Sequence, residues 1–86
     1  MTKQERKVVY DFFIHEFLRR IGKRYPDFFN RWVADTTDNL TERRILGHRY
    51  TGDTQMKFPA IALTLGIDPS YMFRRHKNAA ERLVFL

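Results

Sequence analysis

The chain contains no cysteine, which removes disulfide frameworks and thiolate metal centres from consideration. Only four glycines and three prolines punctuate its 86 residues, and the glycines lie too far apart to form a loop that cradles phosphate. Ser70 is the sole serine, and no nucleophile-elbow glycines surround it. His15, His48 and His76 are widely separated and match no metal-ligand spacing, so each reads as an ordinary helical residue. Among the carboxylates, Asp35 and Asp38 fall in a turn-rich segment and Glu42 at a helix start, where local backbone amides account for them. No stretch approaches the uninterrupted apolar length of a membrane span. The opening MTKQERK leads into Val8-Val9-Tyr10, but Asp11 and then His15-Glu16 interrupt what would be the apolar core of an export signal. These absences argue against an enzyme, a bound metal, a cofactor or a membrane partner, and favour a cytoplasmic protein.

What is present is a chain with 43% hydrophobic and 15% aromatic residues, too apolar for disorder and long enough for one modest helical core built largely of rings. Its net charge of +6 favours polyanionic partners. Residues 1–40 hold eight Lys/Arg against six Asp/Glu, whereas residues 41–86 hold eight against four, so the excess lies in the C-terminal half. The tail Leu83-Val84-Phe85-Leu86 is apolar and predicted to pack on a helix or a partner.

From Lys3 to Arg24 the sequence predicts one long helix with an apolar stripe at Val9, Phe13, Phe17 and Ile21. Val8, Phe12, Leu18, Tyr10 and Ile14 supply a second stripe, more apolar circumference than one neighbour needs, which leaves a central position or a dimer contact open. Arg19, Arg20, Lys23 and Arg24 gather where cations complement the helix dipole, the favoured reading, with contact to a phosphate as the alternative. Tyr25-Pro26 marks a boundary, and a short helix follows with Phe28, Phe29, Trp32 and Val33 on a core-facing side. Residues 34–39, ADTTDN, are the expected linker, and Thr41 is the expected cap of a helix carrying Glu42, Ile45, Leu46 and Tyr50. Thr51-Gly52-Asp53 breaks the chain again.

Residues 57–83, KFPAIALTLGIDPSYMFRRHKNAAERL, carry the functional signal. Phe58, Ile61, Ala62 and Leu65 form one stripe; Gly66 suits a left-handed helix end, and Ile67 folds back onto the core. Asp68 can cap a new helix with Pro69 in its first turn. Met72, His76, Ala79 and Leu83 make that helix's inner side, and Ser70, Tyr71, Arg74, Lys77, Asn78 and Arg82 occupy much of the rest. Two helices about a tight turn, the second with a basic, donor-rich face, form the layout of a helix-turn-helix that enters the DNA major groove. Arginine pairs with guanine, asparagine with adenine and lysine with phosphate, so such a face can read and grip DNA.

From Leu40 to Leu83, about half the chain, the order LTERRILGHRY, a Gly-Asp turn, FPAIALTLGID and YMFRRHKNAAERL resembles region 4 of the sigma-70 family and small sigma-like phage regulators of the ArpU type. The likeness rests on Arg49-Tyr50, Ile61-Ala62, Leu65-Gly66, Lys77, Ala79 and Leu83 in order. It departs at the start of the recognition helix, where Pro69, Ser70 and Tyr71 stand at positions usually charged in promoter-reading members, and at Arg74, which stands where glutamine is frequent. The resemblance implies a recognition helix that reads promoter-like or operator DNA and a surface that docks on RNA polymerase.

The sequence therefore predicts a single all-α domain of about five helices: an N-terminal aromatic helical hairpin (residues 1–35) bracing a C-terminal three-helix helix-turn-helix (residues 40–86). Ser70, Tyr71, Arg74 and Asn78 are the candidate base readers; Arg49, Lys57, Arg75, Lys77 and Arg82 are the candidate phosphate contacts. The expected function is a sequence-specific transcriptional regulator of double-stranded DNA, phage or mobile-element encoded by the resemblance. The alternative is a module that binds RNA polymerase or another protein through a sigma-like surface, with a homodimer through the first helix or the tail as a further use of the apolar surface.

Overall fold

A reciprocal capping box starts the first helix, α1 (Lys3–Arg24): the Thr2 hydroxyl accepts from the Glu5 amide and the Glu5 carboxylate accepts from the Thr2 amide, both at 3.1 Å. Pro26 opens α2 (Pro26–Thr36), where a missing N–H leaves nothing unpaired. α3 (Leu40–Tyr50), α4 (Phe58–Leu65) and α5 (Pro69–Phe85) complete a computed structural model that describes residues 1–85. Among these the fold is all-helical, within 36 × 28 × 25 Å. Leu86 of the predicted apolar tail lies outside the described residues.

The expected linker is shorter than its composition suggested. α2 continues through Thr36, whose hydroxyl donates to the Trp32 carbonyl, and only Thr37–Asn39 connects to α3. Asn39, not Thr41, caps α3, because its extended backbone aims the side-chain oxygen at the Glu42 amide, 3.0 Å away. Arg43 then ties the connection down by donating to the carbonyls of Thr37 and Ala34.

Two apolar clusters share α3 and α5. The larger joins Ile14 and Leu18 of α1, Phe29 and Val33 of α2, Leu46 and Tyr50 of α3, and Ala79, Ala80 and Leu83 of α5. The smaller joins Ile45, Ile61, Ala62 and Met72, with Phe58, Leu65 and Ile67 half-buried against it. The N-terminal hairpin and the C-terminal helices thus bury a common core. Phe29 is wholly buried in it, but Phe28, expected beside it, is exposed.

α1 corrects a further expectation. Its inward side is Ile14, Leu18 and Gly22, while Val9, Phe13 and Phe17 of the predicted stripe face outward and only Ile21 of that stripe packs against the core. Gly22 decides the choice. Its Cα lies against the Tyr50 backbone so closely that an added Cβ would clash with the Tyr50 carbonyl oxygen and stand 2.7 Å from the carbonyl carbon. Rotating α1 to bury the aromatic stripe would bring a larger side chain to that point.

An alanine in a helix normally gains about 1 kcal/mol over glycine. At Gly22 the sign reverses: Gly22→Ala is expected to destabilise the fold by about 1–3 kcal/mol through overpacking, measured as a lower urea midpoint.

Candidate functional site

The turn between α4 and α5 is built as the residue types dictate. Gly66 adopts φ 66°, ψ 36°, its amide closing back on α4, and the Ile67 amide donates to the Ala62 carbonyl at 3.1 Å. Asp68 then accepts from the Tyr71 amide at 3.1 Å, capping α5. Met72, His76, Ala79, Ala80 and Leu83 are buried, which fixes the rotation of α5 and leaves Ser70, Arg74, Lys77 and Asn78 exposed on its outer face. None of these four makes a side-chain hydrogen bond or ion pair to another described residue. Lys57, at the N-cap of α4, is likewise exposed. Glu81, half-buried, lines a groove with Asn78, Arg82 and Phe85 towards the end of α5. The exposed donors thus belong to the N-terminal and middle turns of the helix.

The remaining predicted site residues have internal partners. Glu42, 1% exposed, accepts from the Thr37 hydroxyl at 3.2 Å and receives the Arg82 guanidinium on both carboxylate oxygens, the Oε2 contact at 2.7 Å. Arg75 approaches the same carboxylate at 4.0 Å and lies over the half-buried Tyr71 ring. Glu42 therefore ties α5 to α3, a role that its place at a helix start did not reveal. Arg49 donates to the Met56 carbonyl at 2.8 Å and stacks over Phe58 with 4.0 Å to the ring centroid. Arg82 and Arg49 thus hold the scaffold together, unlike the free cations of the outer face.

A second constellation was missed in the sequence, where the three histidines looked unrelated. The Tyr50 hydroxyl lies 3.0 Å from His15 Nδ1 and 2.6 Å from His76 Nε2, and the two imidazoles stack with centroids 5.1 Å apart. Phe58 meets both rings edge-on. The phenol has one proton, so it donates to one imidazole and accepts from the other. Burial lowers the His76 pKa to about 3, with the charges of His15 and Arg49 adding to the shift. Burial and then Arg49 lower His15, against the pull of Asp11. Burial raises the Tyr50 phenol despite Arg49 nearby. All three groups are neutral near pH 7. The two imidazoles border a cleft of about 240 Å³ between α1 and α5, whose walls include Lys7, Asp11, Phe58 and Phe73. Phe73 contacts Phe58 and remains 48% exposed.

Arg19, which the sequence assigned to the dipole of its own helix, instead crosses to the end of α3. It donates to the carbonyls of Tyr50, Gly52 and Asp53 at 3.0–3.2 Å, satisfying backbone acceptors that the helix end leaves free. Among the described residues no cluster of His, Asp or Glu could hold a metal ion, and no helix is long and apolar enough to cross a membrane. No protein-family model matches the chain, and neither a curated protein nor a solved structure matches it.

Two stability measurements follow from these contacts. Arg82→Ala strands a buried carboxylate and is expected to cost about 3 kcal/mol in urea unfolding, with Glu42→Leu/Arg82→Leu recovering most of the loss. Both imidazoles bind protons less readily folded than unfolded, where the pKa is near 6.5, so the unfolded chain gains protons first on acidification. Stability should therefore fall below pH 6.5, by up to about 1.4 kcal/mol per pH unit for each site that stays neutral in the fold. Denaturation midpoints between pH 7 and 5 measure this slope, and His76→Gln should flatten it.

Proposed function

We propose that the chain is a sequence-specific, double-stranded DNA-binding transcriptional regulator that presents the outer face of α5 to the major groove. One observation carries this reading: a Gly66 turn capped by Asp68 leads into a helix whose inner side is fixed by burial and whose outer face holds Ser70, Arg74, Lys77 and Asn78 without internal partners. Free donors on a rigid element are what base-edge recognition requires, because a side chain already bonded inside the protein would have to give up one contact to make another. Arg74 and Asn78, one helical turn apart, are the principal base readers, with Ser70 beside them and Tyr71 at the edge. Lys57 and Lys77 contact phosphate, joined by the part of Arg75 that Glu42 leaves free. The net charge of +6 supports the same partner, as does the resemblance of residues 40–83 to region 4 of the sigma-70 family. Arg49 and Arg82 act in this reading by holding the face in place.

The test is selection of bound duplexes from a random pool, with wild type beside Arg74→Ala and Asn78→Ala. An enriched motif should emerge, and Arg74→Ala should lose about 1–3 kcal/mol on that motif and much less on random duplex. Lys77→Ala should weaken both about equally and reduce the salt slope by about one. Absence of any enriched motif, with only weak salt-sensitive association, overturns the reading.

A further inference from the structure

The outer side of α1 holds an apolar surface that the fold does not cover. Val8, Val9, Phe12 and Phe13 are 56–68% exposed and Phe17 is 40% exposed. Together they leave on the order of 500 Å² in water, towards the upper end of the roughly 300–600 Å² of the largest apolar patch on a typical monomer, a patch that is often functional. The Phe13 and Phe17 rings stack along the helix, and with Glu16 and Arg20 they wall a shallow depression. Phe12 continues the surface into a neighbouring groove whose lining includes Glu16, Arg19, Arg20, Arg49 and Phe58.

The charges around this surface indicate what fits it. Lys3, Arg6, Lys23 and Arg24 are exposed, whereas Glu5 is held in the Thr2 capping box and Glu16 is paired with Arg20 at 2.7 Å. A second copy of the chain would set an apolar face with a basic surround against itself, on a molecule of net charge +6. A lipid surface would have to accept the Glu16 carboxylate, which lines the depression beside Phe13 and Phe17. A segment with apolar anchors and flanking carboxylates meets the basic surround with opposite charge and, unlike a continuous lipid surface, can keep its own carboxylates away from Glu16, which Arg20 already pairs.

We propose that the outer face of α1 docks an acidic amphipathic segment of another protein. Its apolar residues set against Phe12, Phe13 and Phe17, and its carboxylates pair with the exposed cations Arg6, Arg20, Lys23 and Arg24. The patch alone is smaller than the roughly 800 Å² that one partner contributes to a standard interface, so the groove completes the contact. This surface belongs to α1 and is separate from the α5 face assigned to DNA.

The experiment is selection from a displayed library of random peptides about 18 residues long, five turns of helix, against the whole protein. Enriched peptides should carry aromatic or aliphatic residues three and four apart with Asp or Glu between them. A synthetic copy, followed by fluorescence anisotropy, should bind Phe12→Ser/Phe13→Ser about tenfold more weakly than wild type and Arg20→Glu about threefold more weakly. Binding should also weaken with salt. These side chains are exposed, so both variants should melt as wild type does, and the Phe12/Phe13 variant should keep its duplex affinity. Replacing the peptide's acidic residues with lysine should abolish binding to wild type, a comparison that needs no protein variant. No enrichment, peptides without acidic residues, or equal binding by the variants overturns the proposal. So does a wild-type dimer in sedimentation that the Phe12/Phe13 variant dissociates, or binding to phosphatidylglycerol vesicles that this variant loses in the absence of peptide binding.

Discussion

Tyr50 has no exposed surface, and its hydroxyl touches imidazoles from residues 35 and 26 positions away, so one short hydrogen-bonded chain ties α1 and α5 to the end of α3. Every part of the residue has a separate use. Its ring packs near Phe29 of α2, its carbonyl receives Arg19, and its backbone lies against Gly22. A buried hydroxyl without a partner would be costly, and a buried charge more so; here burial itself keeps the phenol and both imidazoles neutral. The meeting point of the three helices is therefore polar, yet carries no charge that would have to be hydrated. Around it, Arg49 supplies the cation and takes up a backbone carbonyl and an aromatic face in return.

The arrangement of the proposed DNA-binding face depends on this centre. His76 lies one turn after Met72 and one turn before Ala80, so the helix that places His76 beneath Tyr50 also turns Arg74, Lys77 and Asn78 outward. Glu42 fixes the opposite edge through Arg82 and orients Arg75 more loosely at 4.0 Å. Two kinds of basic side chain thus occupy one helix. Some are anchored by a buried carboxylate, and others reach freely into solvent. Composition counts them together, and only the partner across the fold separates them.

Local chemistry made much of this legible in the sequence. The helix boundary at Tyr25-Pro26, the left-handed Gly66, the Asp68 cap and the inner side of α5 all depend on residues within a few positions of one another, and the structure contains each of them. What could not be read depends on partners distant in sequence. The ion pair of Arg82 was not visible because its partner is 40 residues away, and Glu42 looked like an ordinary first-turn acid for the same reason. His15 and His76 meet only through Tyr50. The Phe28, Phe29, Trp32, Val33 pattern was correct about a core side but could not show that Phe28 lies beyond its edge. No local pattern marks where a neighbouring helix ends.

The inward ladder Ile14, Leu18 and Gly22 and the outward series Val9, Phe13 and Phe17 both repeat every four residues and differ in phase by a single position. Hydrophobicity alone favours the wrong one, since the outward series carries more apolar area. The missing methyl group of Gly22 selects between two rotations of the same helix, about 100° apart, by making one of them impossible at a single point of contact. The fold thus leaves the displayed side of α1 open to variation but does not tolerate a change of length within the buried ladder: inserting or deleting one residue between Ile14 and Gly22 would put half the helix out of phase with the other half.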